Sequence, residues 1–179
     1  MVIKSDTQAR GRAQPASGQR RQWHLLYSVW QPVRRQFQRR QIEKEYTAIV
    51  WGEMEDDWGA IELPIATDWP NRPKQMICEE RGKYALTHFE VLERGDNRSL
   101  VKLMPVTGRS HQLRIHMQSL GHPIIGCDMY AYPEALAASD RLLLHATRLK
   151  LCAPSTDHWL SAFTPIPFAL ERQLTTNRK

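Results

Sequence analysis

The chain begins without a hydrophobic period and acquires one near its first fifth. Through residues 1–33, "KSDTQARGRAQPASGQRRQ" follows neither the two-residue alternation of a strand nor the 3.6-residue stripe of a helix, and reads as a disordered segment. The apolar "WHLLYSVW" stands isolated at its end. Ordered structure is expected from about Val33, where "VRRQFQRRQIEK" suits a short basic helix. "EYTAIVWG" then alternates as a strand ended by Gly52, and "GAIELPI" reads as a second strand. "DWPNRPKQ", with two prolines, predicts a turn-rich loop. "YALTHFEVLE" and "RSLVKLMPV" are strands joined by the hairpin loop "RGDN". "RLLLHATRLKL" and "HWLSAF" close the pattern, separated by "CAPSTD".

Many strands with hairpin connections and few helices predict an α+β fold with a mixed, mainly antiparallel sheet and flanking helices. At 179 residues one domain is expected, over residues 34–168, with a frayed tail at 169–179. No internal repeat is present.

A different pattern occupies "TGRSHQLRIH", residues 107–116, directly after a strand. On a helix over 109–120, Leu113, Met117 and Leu120 form an apolar stripe, while His111, Arg114 and Gln118 share the opposite face. Thr107 or Ser110 can cap its start, Gly121 can end it, and Gly108 allows close backbone approach. Free N–H groups at the helix start, with Arg109 beside them, favour a phosphate or carboxylate.

Charge sharpens the picture by its distribution. The chain carries a net +6, with 41% hydrophobic and 25% charged residues. Residues 1–41 hold nine Lys and Arg against the single acid Asp6, a net of +8. The remainder holds sixteen bases and eighteen acids, a net of −2. Bulk charge therefore points to nucleic acid only for the amino-terminal segment, and elsewhere the placement of charge must decide. No apolar run reaches the ~18 residues of a membrane span, and no secretory leader is evident, so a cytoplasmic protein without a membrane partner is expected. Cys78, Cys127 and Cys152 lack metal-ligand spacing and read as reduced, mostly buried thiols.

Among chemistries for the Arg/His stretch, a metal site is disfavoured because His111 and His116 are five residues apart, not four. A Ser110–His111 nucleophilic pair is disfavoured too, since neighbouring side chains diverge and no Gly-x-Ser-x-Gly elbow surrounds the serine. A solvated helix face and an anion-recognition surface remain.

"PVTGRSHQLRIHMQSLGHPIIGCDMYA" resembles the signature of the RluA family of RNA pseudouridine synthases. "RRQIEKEYTAIVWG" resembles its Lys-x-Tyr-x-Ala segment and "RLLLHATRLKL" its Leu-Leu-His-Ala strand. "DWPNRPKQ" is similar to a loop of the branch acting on both 23S rRNA and tRNA, and the likeness covers roughly residues 34–168. The resemblance implies a pseudouridine synthase catalytic-domain fold, lacking its amino-terminal part here, and isomerisation of uridine in rRNA or tRNA. It implies no cofactor and no metal, a stem-loop RNA partner and a monomer. It also implies that Tyr46 packs against a flipped uracil and that Arg114 pairs with an essential aspartate. Lys44, Arg109, His111 and Gln112 become RNA contacts, Lys44 and Arg109 alternatively structural. Cys127 departs from the family, which commonly carries aspartate there.

The essential aspartate of that family lies in a His-Arg-Leu-Asp-x-x-Thr-Ser-Gly motif, which this sequence does not contain. The chain is therefore expected to be a truncated member without isomerase activity, or an RNA-binding remnant or module. Codons for Ala16–His24 read one base later can spell Arg-Leu-Asp-x-x-Ala-Ser-Gly, so a frame-shifted start is one explanation. It requires GGA at Gly18, and it cannot supply the usual histidine or threonine of the motif. A basic arm that binds RNA is the other.

Overall fold

The computed structural model describes residues 30–170 apart from 155 and 157. The amino-terminal stretch expected to be disordered, with Asp6 and the codons at issue, lies outside the described residues, as does most of the expected tail. Helical structure is present at residues 30–38 (α1), three residues before the expected start at Val33, and a turn follows at 39–40. Arg40, at φ 58°, ends it, so the predicted helix loses its last residues to the first strand.

Eight strands follow among the described residues: β1 (Glu43–Trp51), β2 (Trp58–Glu62), β3 (Ile65–Thr67), β4 (Gln75–Ile77), β5 (Leu86–Gly95), β6 (Arg98–Pro105), β7 (Leu144–Cys152) and β8 (Trp159–Phe163). Two short helices, α2 (Gln112–Ser119) and α3 (Pro133–Ala137), lie between β6 and β7. Six strands form one sheet in the order β2-β5-β6-β1-β7-β8, and β3-β4 form a separate ribbon. Every pairing among the described strands is antiparallel. The predicted "GAIELPI" strand is two elements, because Pro64 cannot donate to a ladder and separates β2 from β3. The β5–β6 hairpin turns on Asp96 and Asn97, both at positive φ, as a two-residue turn matching the strand twist requires.

Central strands show why these sequences read as they do. In β6 the burial alternates strictly, with Ser99, Val101, Leu103 and Pro105 inward. In β1, Thr47 to Val50 are all buried because both faces are covered. Ala48 and Val50 join Val101, Leu103, Leu113 and Met117 in the main core, while Ile49 packs with Ile125 and Leu143 on the other face. Thr47 and Thr147 satisfy each other there at 2.8 Å. A second cluster, Ile65, Ala85, Ile115, Cys127 and Tyr130, joins the β3–β4 ribbon to α2. Cys127 is buried, whereas Cys78 and Cys152 are only partly so.

α2 is shorter than the expected 109–120 helix. Its first residue is Gln112, preceded by His111 in the left-handed region at φ 55°, and neither Thr107 nor Ser110 caps it. Its inward surface is wider than the predicted stripe: Gln112, Ile115 and His116 are buried beside Leu113 and Met117, while Leu120 is exposed. The predicted end holds. Gly121 at φ +82° donates to Gln118 and His122 donates to Met117, at 2.9 and 3.0 Å, closing a Schellman motif.

Candidate functional site

β6 stops at Pro105, and residues 106–111 then cross the sheet end before α2 begins. A buried hydrogen-bond network fixes this crossing. Gln112 Oε1 accepts from the Thr107 hydroxyl (2.8 Å) and from Arg109 N–H (2.9 Å). Its Nε2 donates to Leu86 O and to Thr87 Oγ1, both at 3.0 Å. Thr107 Oγ1 accepts Leu86 N–H at 3.0 Å. The chain continues to His116, whose Nδ1 lies 2.9 Å from Thr87 Oγ1 and whose Nε2 lies 3.2 Å from Leu63 O. A carbonyl can only accept, so Nε2 carries the proton and Nδ1 accepts from Thr87. Burial pushes the His116 pKa below its ordinary 6.5, in keeping with a neutral ring.

The sequence reading places Gln112 among RNA contacts. In the structure the residue is 3% exposed and all four hydrogen-bonding positions of its amide have protein partners. These bonds tie the loop at Thr107 and Arg109 to β5.

His111 is held differently. Its Nδ1 is 2.7 Å from the Tyr130 hydroxyl, and the rings meet edge to face. Tyr130 Oη accepts Gln75 N–H at 2.9 Å, leaving its own proton for His111. Burial first, and the Arg114 charge second, lower the His111 pKa, against a raising effect of Asp128. The Tyr130 phenol is pushed up, mainly by burial.

The outer side of the same loop borders a cleft of about 220 Å³ where the sequence-selected residues meet: Lys44 and Tyr46 from β1, Arg109 and His111 from the loop, and Gln112 and Arg114 from α2. Lys44 Nζ donates to Thr107 O at 3.2 Å, and burial lowers its pKa. Arg109 Nε donates to Tyr84 O at 3.0 Å. The Arg114 guanidinium, by contrast, makes no hydrogen bond, ion pair or ring contact with any described residue, and the Tyr46 hydroxyl has no protein partner among them.

Two further clefts, of about 430 and 410 Å³, flank the loop and share Gly108 and Arg109 with the first. Together the three clefts are lined by Arg40, Lys44, Arg81, Lys83, Arg109 and Arg114, and among the described residues by no aspartate or glutamate. Residues 42–179, with a net −2, thus place five of these cations on one surface, where Arg40 joins them. Arg40, Arg81 and Lys83 escape sequence reasoning because nothing in their spacing brings them to the loop; only the sheet does. A Cβ on Gly108 would meet only Lys44 Nζ, at 3.6 Å, so no protein packing demands glycine there.

The fold defines the class of protein first. The structure is similar to that of human RNA pseudouridylate synthase domain containing 1, with TM-score 0.66, 32% identity, and coverage of 75% of this chain and 59% of that one. It is also similar to human RNA pseudouridylate synthase domain containing 4, with TM-score 0.60, 25% identity and coverage of 76% and 62%. The family model for RNA pseudouridylate synthase matches residues 27–119. The chain belongs to that family. It is 51% identical to the dual-specificity RNA pseudouridine synthase RluA of Vibrio cholerae, over 79% of this chain and 58% of that protein. It is 54% identical to RluA of Pasteurella multocida, over 76% and 63%. The chain thus spans about three fifths of the length of these relatives. Among described residues no helix is long and apolar enough to cross a membrane.

Proposed function

We propose that this chain carries the uridine-receiving part of an RNA pseudouridine synthase site and by itself binds stem-loop RNA of the rRNA or tRNA type without isomerising it. The observation that carries this reading is Arg114. A half-buried guanidinium in a cleft beside an aromatic ring, with no partner among the described residues, is costly unless something completes it. An anion is the natural complement. In the family the essential aspartate fills that role, and no matching motif occurs in these 179 residues. Tyr46 presents an aromatic face to an unstacked uracil, and Lys44, Arg109 and His111 line the path of its phosphates. Gln112 positions the loop.

The test incubates the purified chain with stem-loop RNA and reads pseudouridine by mass shift after cyanoethylation, alongside binding. Retained RNA with no mass shift is the expected result. A mass shift would show that another group performs the chemistry, and absence of binding would remove the RNA reading altogether.

A further inference from the structure

The largest of the clefts on the loop's flank is not needed to hold the flipped uridine, yet it is the most elaborately built. Its wall includes Trp69, Gln75, Arg81, Lys83, Arg109 and Ser110. Trp69 sits in the β3–β4 connection and is 62% exposed, an unusual place for an indole. The Arg72 guanidinium lies 3.4 Å from the ring centroid, covering one face. The connection is braced from within: Asp68 N–H bonds Lys74 O, Asn71 N–H bonds Asp68 O, Lys74 N–H bonds Asn71 O, and Asn71 Nδ2 bonds Asp68 Oδ2 at 3.0 Å. The ribbon itself is anchored through Tyr130, whose hydroxyl binds Gln75 N–H. Trp69 is therefore presented on a fixed support.

The opposite wall is equally constrained. Gly82 packs so tightly that a Cβ would lie 2.2 Å from Cys78 O and 2.7 Å from Pro64, so only glycine fits. Lys83 is locked to Ile65 by reciprocal backbone bonds of 2.8 and 3.0 Å. These contacts set Arg81 and Lys83 on either side of Gly82, both lining the cleft. Neither forms an ion pair with a carboxylate among the described residues. With Arg109 the described residues of the cleft wall supply three cations, no acid and one braced aromatic ring.

We infer that this cleft is a second nucleotide subsite, in which Trp69 stacks an unpaired base of single-stranded RNA while Arg81 and Lys83 hold its phosphates. The inference rests on the RNA reading above. Aromatic stacking beside a cationic groove is how proteins engage single strands without reading sequence. Arg109 and Gly108 border both this cleft and the one holding Tyr46 and Arg114, so a strand can pass from one to the other around a single loop. The base bound here is thus a neighbour of the uridine and its presence at Trp69 helps hold the loop open.

The experiment uses the full chain and a stem-loop RNA in two forms, intact or with an abasic nucleotide scanned through the positions flanking the loop uridine. Trp69→Ala is expected to weaken binding of the intact RNA about tenfold. At one flanking position the abasic RNA should bind wild type as weakly as the variant does, so the two losses do not add. Trp69→Phe should restore binding of intact RNA, which a folding defect would not allow. The paired variant Arg81→Ala with Lys83→Ala should flatten the log–log salt dependence by about 0.7 per phosphate lost. Additive losses at every position, or unchanged affinity and slope in these variants while the wild type binds, would overturn the subsite and leave the RNA reading intact. A wild type that binds no stem-loop RNA would overturn both.

Discussion

The two sides of residues 107–116 use the same kinds of side chain to opposite ends. On the inner side, Thr107, Gln112 and His116 are buried and their hydrogen bonds are met within the protein. On the outer side, Arg109 keeps most of its guanidinium free beyond one bond to Tyr84 O, and Arg114 has no partner among the described residues. Buried polar groups are expensive to leave unpaired, so a complete network rigidifies its backbone. Incomplete groups on a rigid backbone are available to a ligand without first breaking a protein contact. The difference separates the residues that shape this site from those that use it.

The sharpest way to break the contrast is Gln112→Leu, which leaves the Thr107 hydroxyl proton and Arg109 N–H without their acceptor and removes one of the two partners of Thr87 Oγ1, the other being His116. A loss of about 3 kcal/mol in urea unfolding is expected. A loss below about 0.5 kcal/mol would mean that the loop does not depend on the network. Arg114→Ala should do the reverse, changing stability by at most about 0.5 kcal/mol because no internal partner is lost. RNA affinity should nonetheless fall roughly tenfold, the size of one charge-assisted hydrogen bond. Equal effects on stability and binding would place Arg114 among the shaping residues.

Acidification probes the inner side more gently. His116 and His111 both have pKa values below the ordinary 6.5, chiefly through burial, so the unfolded chain binds protons before the folded one. Stability is complete above pH 6.5 and declines as pH falls below it towards the folded values. A protonated His116 would also set two donors against each other at Thr87. Proton NMR of the imidazoles checks this, and a His116 ring titrating at or above 6.5 would contradict it. The smallest effect belongs to Gly108→Ala. With only Lys44 Nζ near the added methyl, stability should stay within about 0.5 kcal/mol. Any loss of RNA affinity then reports how closely the strand passes the backbone.

Much of the fold was legible in the chain because alternation and turn chemistry are local. β5, the Asp96–Asn97 turn and β6 emerge almost as read, and so does the α2 end at Gly121. The start of α2 was not legible. His111 takes a left-handed conformation that its type does not announce, and no side chain caps the helix; the Gln112 side chain instead reaches back to Thr107 and Arg109 in the preceding loop. α3 also escaped notice, five residues being too few to show a period.

What the sequence determined by itself was which residues have chemistry to offer: Tyr46, Lys44, Arg109, His111 and Arg114 stand out by type and by family motif, and all line one cleft. Tertiary structure alone decided which polar groups are already satisfied. Gln112 and Arg114 look equally available in "TGRSHQLRIH", yet one faces Thr87 and Leu86 across the core and the other faces solvent and the cleft. It also brought Trp69, Arg81 and Lys83 to the far flank of Arg109, over 26 to 40 residues of chain. The physical reason is that hydrogen-bond partners and charge neighbours are set by strand pairing, and pairing joins residues whose separation along the chain leaves no periodic trace.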